Sequence, residues 1–299
     1  MKIAICGGTG FIGQALCKHF ISQGHQVMIV TRKQPDHSSK ESSITYVTWD
    51  DMKLNPQQFE GLDALINLAG ASLSQRWTTQ GKERIHTSRQ KTVSAVADLM
   101  NVLEHKPPVV VQASAMAIYG TSEDKTFDEL SPPRVMDFPS EVVSMWEEAA
   151  DRIQTDRVVK LRISVVLGNE GGAFPKMILP YKLGLGGKIG SGQQWMSWIH
   201  LDDIVRLIDF CIHHPEINGP VNAASPNPVT NDQFGRTAAK VYHRPHWFPV
   251  PSFLLKGVLG ELSMILLEGQ RILPVKALDH GFEFQYAELK DALSALKKQ

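Results

Sequence analysis

An excess of charge of either sign is missing from this chain: 31 Lys and Arg stand against 31 Asp and Glu over 299 residues. Such a balance gives no long-range field to draw in a polyanion, so neither nucleic acid nor an anionic membrane is expected as the main partner. Cysteine is scarce. Cys6, Cys17 and Cys211 are odd in number and widely spaced, and Cys6 sits in an apolar run, so reduced core thiols are expected rather than disulfides. No cluster of His, Cys or carboxylate residues has metal-ligand spacing, and no metal site is expected. Long apolar runs are absent as well. The most apolar late stretch, Phe253 to Leu267, is broken by Lys256, Gly260 and Glu261 and is too short to span a bilayer. The opening residues, Met1 to Gly7, lack the basic-then-apolar layout of a secretory signal, so a soluble, cytoplasmic protein is expected. No internal repeat or low-complexity tract is present.

What the chain does contain is 42% hydrophobic residues arranged in two alternating periods. Short continuous apolar runs occur at Lys2–Cys6, Gln26–Val30, Ile44–Thr48, Ala64–Leu68, Val109–Gln112 and Val158–Ile163. Helical patterns lie between most of them, including one with Phe11, Ile12, Ala15, Leu16 and Phe20 on one side, and others over Ser88–Leu103 and Val142–Ile153. Apolar strands alternating with helices predict a doubly wound parallel sheet covered on both faces. After about Gly168 glycines and prolines crowd the sequence. A Rossmann-type α/β domain over residues 1–218 is expected, with a smaller C-terminal substrate lobe over 219–299 to which 169–199 contributes.

The first strand runs directly into Gly7-Gly8-Thr9-Gly10-Phe11-Ile12-Gly13, which opens the first helix. Gly7 allows a tight turn, Gly10 lets backbone approach a pyrophosphate, and Gly13 lets the helix pack closely on the strand. The helix start offers unpaired N–H groups and a partial positive charge, so Thr9, Gly10, Phe11 and Ile12 are expected to cradle phosphates. The end of the second strand reads Ile29-Val30-Thr31-Arg32-Lys33. A carboxylate there would hydrogen-bond the ribose 2′-hydroxyl of NAD, whereas a guanidinium matches the 2′-phosphate of NADP. Arg32, with Thr31 adding a hydroxyl donor, therefore predicts NADP(H) as cofactor.

Further segments resemble the extended short-chain dehydrogenase/reductases. They are Asn67-Leu68-Ala69-Gly70, the run from Ser114 to Gly120, Leu161-Arg162-Ile163 with Val166-Leu167-Gly168, and Trp198-Ile199-His200-Leu201-Asp202-Asp203. The chain resembles more closely an atypical branch named only as epimerase family proteins, through Gly184-Leu185-Gly186-Gly187, Val221-Asn222-Ala223 and Leu267-Glu268-Gly269-Gln270-Arg271. The resemblance implies that Leu68 and Ala69 line the adenosine ribose and pyrophosphate, and that Arg89 and Arg162 face the cofactor. It also implies an NADP(H)-binding oxidoreductase or epimerase acting on a small molecule. The alternative is a non-catalytic NADP(H)-binding sensor or scaffold.

That alternative stays open because the general-acid pair of those enzymes is missing. They place Tyr-x-x-x-Lys on the helix after the fifth strand, where lysine lowers the tyrosine pKa for proton transfer. The matching stretch here, Ser140 to Glu148, has neither residue. One Tyr-x-x-x-Lys does occur, Tyr286 to Lys290, and reads as the start of a surface helix. Ser114 at a strand end and Tyr119 on the following loop remain as catalytic candidates, able to bind a carbonyl oxygen or deliver a proton. His200 reads as a buried hydrogen-bonding histidine and Asp202-Asp203 as a helix cap rather than acid–base groups. The stretch Gln193 to Trp198 lacks the arginine that clamps a nucleotide-sugar pyrophosphate. Its aromatic, sulfur and amide groups suggest a smaller, less charged ligand.

Overall fold

A computed structural model describes residues 1–34, 43–73 and 75–298. Seven parallel strands form the central sheet: β1 Lys2–Cys6, β2 Gln26–Thr31, β3 Ile44–Thr48, β4 Ala64–Asn67, β5 Val109–Ala115, β6 Arg157–Ile163 and β7 Gly219–Ala223. Their spatial order is β3-β2-β1-β4-β5-β6-β7, a Rossmann-type doubly wound arrangement whose switch point lies between β1 and β4. The strands are continuous apolar runs because both faces are covered. Side chains alternate across the pleat, so Ile3 and Ile5 enter one core while Ala4 and Cys6 enter the other.

The first core is closed by helices α1 (Phe11–Ser22) and α6 (Leu201–His213), through Leu16, Phe20, Ile204, Leu207 and Ile208. Helices α2 (Trp49–Leu54), α3 (Thr79–Val102) and α4 (Phe138–Ala150) close the second, through Met52, Val93, Val96, Met100 and Trp146. All three cysteines are free and buried, and burial pushes the Cys6, Cys17 and Cys211 thiols up. They pack as small apolar groups.

β7 joins the Rossmann sheet as its edge strand, Asn222 and Ala223 lying opposite Arg162 and Ile163 of β6. The boundary expected at 218 therefore falls a strand too early. Gly219 and Pro220 hide the strand from pattern reading, because Pro cannot donate to a ladder and Gly weakens it. A third core belongs to the lobe. Helix α5 (Phe174–Lys182) supplies Phe174, Ile178 and Tyr181, helix α7 (Asn231–Tyr242) supplies Phe234 and Ala238, and the C-terminal helix Leu289–Lys298 supplies Leu289 and Leu293. Between α7 and that helix lies α8, Ser252–Leu259, whose described residues are not buried.

α3 begins at Thr79, nine residues before the helical pattern expected from Ser88. Thr78 caps it by accepting from the Gly81 N–H at 3.1 Å. Asp137 caps α4 in a reciprocal box with Ser140, with Pro139 in the first turn.

Candidate functional site

The glycine loop lies between β1 and α1 at the carboxyl edge of the sheet. Gly7 takes φ +83, and an added Cβ would press on the Leu68–Ala69 backbone at 3.1–3.2 Å. A Cβ on Gly13 would collide with the Gly7 carbonyl and the Gly8 backbone. Both positions are thus glycine for reasons internal to the fold. Gly10 differs. It has an ordinary φ of −81, and its Cβ would meet only the Gly7 carbonyl, at 3.2 Å. Gly10 is also the N-cap of α1, with no side-chain hydrogen bond to the first turn. The N–H groups that open α1 therefore project from the sheet edge without a protein cap, as a phosphate cradle requires. The Phe11 ring points aside and packs against Gly168, Gly171 and Gly172. Ile12 is half-buried beside it.

Arg32 follows β2 directly, is exposed, and makes no hydrogen bond or ion pair among the described residues. Thr31 is used locally. Its hydroxyl donates to the Lys33 carbonyl at 2.7 Å and accepts from the Lys33 N–H at 3.1 Å, fixing the turn that carries Arg32. The hydroxyl donor expected at Thr31 is therefore already engaged.

After β4 the chain turns through Leu68 and Ala69, both half-buried. This turn is braced from two sides. The Ala69 N–H donates to Asn67 Oδ1 at 3.2 Å, while α3 contributes the Thr92 hydroxyl to the Ala69 carbonyl and accepts the Ala71 N–H at Ser88. Arg89 Nη1 donates to the Ala71 and Ile85 carbonyls at 3.1 Å each, and its guanidinium lies 4.9 Å from the Trp146 ring centre. Burial without a carboxylate partner lowers its pKa to about 10. Arg89 thus acts on the turn, shaping the loop from behind.

Ser114, Tyr119 and Arg162 come together, yet not as groups open to a ligand. Ser114 on β5 lies directly opposite Arg162 on β6. Glu147 of α4 reaches both: the Ser114 hydroxyl donates to Oε1 at 2.5 Å, while Arg162 Nε and Nη2 donate to Oε1 and Oε2 at 2.8 Å each. Arg162 Nη1 then donates to the Tyr119 oxygen at 2.8 Å, and the Tyr119 hydroxyl donates to Asn222 Oδ1 at 2.7 Å. All five residues are buried. Burial opposes the Arg162 charge, but its hydrogen bonds to Glu147 and the neighbouring Tyr119 hold its pKa above the ordinary range. Burial pushes the Tyr119 phenol up to about 12, against the pull of Arg162.

Three expectations are corrected here. The guanidinium of Arg162 is consumed by Glu147 and Tyr119 instead of facing a cofactor, and the Ser114 and Tyr119 hydroxyls are donated inward to protein acceptors. The signal that would have found this network is Glu147, an acid on the buried stripe of α4 that cannot be left unpaired. Helix α4 contains no Tyr or Lys, and Val143, on its inner side, packs against Tyr119 and Ile118.

His200 caps α6, accepting the Asp202 N–H at Nδ1, and its ring lies 3.9 Å from that of Tyr286. Asp203 accepts the Gln285 and Tyr286 N–H groups at 2.8 and 2.9 Å, binding the chain before the C-terminal helix to α6. In the stretch Gln193 to Trp198, Gln194, Met196, Ser197 and Trp198 are buried in the lobe. Of this stretch, Gln193 is exposed and Trp195 half-buried. The tertiary structure instead brings a cation to this region, the Arg271 guanidinium lying 4.8 Å from the Trp195 ring centre. Among the described residues no group of three or more His, Cys, Asp or Glu is arranged to hold a metal ion.

Residues 3–224 match the sequence profile of the NAD dependent epimerase/dehydratase family, and residues 250–296 match a domain of unknown function, DUF1731. The chain is 45% identical over 299 residues to the Epimerase family protein YfhF of Bacillus subtilis (strain 168), covering 99% of this chain and 98% of that one. It is 40% identical over 304 residues to the chloroplastic Epimerase family protein SDR39U1 homolog of Arabidopsis thaliana, covering 99% and 86%. A crystal structure of the human epimerase family protein SDR39U1 (isoform2) with NADPH superimposes with a TM-score of 0.92 at 33% identity, over 100% of both chains.

Proposed function

Since the chain belongs to the NAD dependent epimerase/dehydratase family, we propose that its sheet edge binds NADP(H), with the adenosine 2′-phosphate recognised by Arg32. One observation carries this reading: the uncapped start of α1, held against β1 by Gly7 and Gly13, opens at the same sheet edge as Arg32 at the end of β2, which is exposed and makes no hydrogen bond or ion pair among the described residues. The Thr9, Phe11 and Ile12 N–H groups face the pyrophosphate, the Gly10 N–H being taken by the Gly7 carbonyl, while Leu68 and Ala69 border the ribose and Thr31 holds the turn that presents Arg32. The human relative that carries NADPH supports the choice of cofactor. Arg89 acts by bracing the Leu68–Ala71 turn.

Bound NADP(H) supplies hydride exchange, which fits an oxidoreductase or epimerase acting on a small molecule at the carboxyl edge of the sheet. Ser114, Tyr119 and Arg162 support the floor of that edge, as positioning residues. A second reading, a non-catalytic NADP(H) sensor or scaffold, is favoured by one fact: α4 offers no Tyr-x-x-x-Lys, and the nearby hydroxyls are turned inward. Absorbance measured with NADPH and a panel of carbonyl compounds separates the two, because turnover excludes the second.

Calorimetry with NADPH and NADH tests the cofactor assignment. Arg32→Ala should weaken NADPH by the roughly 1.5–3 kcal/mol of a hydrogen bond to a charged group. That is about tenfold to a hundredfold in Kd, with NADH binding unchanged. Equal loss for both cofactors refutes the role of Arg32, and uptake of neither refutes the function.

A further inference from the structure

Overall charge balance hides an uneven distribution. No Asp or Glu occurs between Glu170 and Asp202, nor between Asp232 and Glu261, while these stretches carry three and four Lys or Arg. The fold lays the two side by side. Trp247 and Phe248 donate their N–H groups to the Gly186 carbonyl at 3.0 and 3.1 Å, and the Val250 N–H donates to the Lys188 carbonyl at 2.9 Å. The Arg244 guanidinium reaches the Lys182 carbonyl, and the Trp247 indole N–H reaches that of Gly184. A Cβ on Gly187 would collide with the Phe248 backbone, so the two strips touch at van der Waals distance.

These strips and the helix that follows them expose large apolar side chains. Trp247 is 67% exposed on its strip, with Phe248 and Leu185 exposed beside the contact, and α8, which begins at Ser252 next to Gly190, exposes Phe253 (70%), Leu254 and Val258 (77%). Lys182, Lys188 and Arg244 are exposed on the touching strips, and Lys256 is exposed on α8. Of the carboxylates that end the acid-free stretches, Asp232 is engaged by Arg236 and His246 and Glu261 by Lys82, while Glu170 and Asp202 are exposed. Exposed aromatic and aliphatic side chains accompanied by cations are the composition of an interaction surface.

We propose that this face docks on the surface of an anionic lipid bilayer, with Trp247, Phe253 and Val258 in the headgroup–acyl boundary and the lysines and Arg244 against lipid phosphates. Charge decides the occupant. A two-fold contact with a second copy sets the same patch against itself, cation facing cation, whereas an anionic leaflet supplies the missing sign. Among the described residues no helix is long and apolar enough to cross a membrane, so the mode is interfacial, with the short helix α8 lying in the plane. Balanced total charge does not oppose this, because screening confines the interaction to the facing surface.

Co-sedimentation of the full chain tests it, using vesicles of phosphatidylcholine alone and of equimolar phosphatidylcholine and phosphatidylglycerol. The protein should partition onto the anionic vesicles about tenfold or more above the neutral ones, and added salt should remove the difference. Trp247→Ser with Phe253→Ser, and separately Lys182→Glu with Lys256→Glu, should each abolish binding while unchanged circular dichroism shows that the variants fold. Equal sedimentation with both vesicles overturns the proposal, as does none with either. So does a concentration-dependent dimer that the serine variants dissociate, which would assign the face to a second copy.

Discussion

Replacing Arg162 by methionine separates a structural arginine from a cofactor ligand. The wild-type guanidinium makes two 2.8 Å bonds to Glu147 and one to Tyr119, in a setting almost closed to solvent. Arg162→Met leaves the Glu147 carboxylate buried with the Ser114 hydroxyl as its remaining hydrogen-bond donor in this network. Removing one partner of a buried pair typically costs about 3–5 kcal/mol, because the other charge stays desolvated. The double change Arg162→Met with Glu147→Met removes both charges and should recover most of that loss, since apolar replacement of a whole pair is often neutral. Urea unfolding midpoints at fixed slope give the stability differences, and calorimetry gives NADPH affinity. The single variant should be strongly destabilised while the folded fraction binds NADPH as before. A loss below about 1 kcal/mol in stability, joined to a tenfold fall in NADPH affinity, would show that the arginine serves the cofactor directly.

Three further outcomes follow from the loop and from His200. Gly10→Ala should fold with little loss, since its Cβ meets only the Gly7 carbonyl at 3.2 Å, but should bind NADPH far more weakly because the methyl occupies the approach of the pyrophosphate. Gly13→Ala, by contrast, should lose stability in thermal unfolding, and retained stability would refute the packing role given to that glycine. His200 is buried with no partner for Nε2 among the described residues. Burial holds its pKa below 6.5, against the pull of Asp202, Asp203 and Glu170. The unfolded chain then binds the extra proton first, so stability present above pH 6.5 should fall as the pH drops below it. His200→Asn keeps an N-cap acceptor and should flatten that dependence in urea midpoints between roughly pH 5 and 7. An identical slope in both proteins would remove His200 as its source.

Local chemistry made much of this protein legible in its sequence. The apolar runs of β1, β2 and β4 declared themselves because a strand covered on both faces needs no polar alternation. Gly7, Gly10 and Gly13 could be assigned tasks because turn and close-approach requirements depend on a few adjacent residues. The position of Arg32 is readable for the same reason, since the end of β2 lies beside the loop by topology alone.

Partners distant in the chain were decided only by the tertiary structure. Ser114, Tyr119 and Arg162 looked available for chemistry until β5–β6 register and the approach of α4 set Glu147 between them. Gln194, Met196 and Trp198 looked like a lining until the lobe closed over them, and β7 looked like lobe until it completed the sheet. Total charge is plain from composition, but that Lys182, Lys188 and Arg244 lie on neighbouring strips depends on 182–190 and 244–250 running side by side. Backbone preference acts over a few residues, whereas which side chains meet is settled by how whole elements pack.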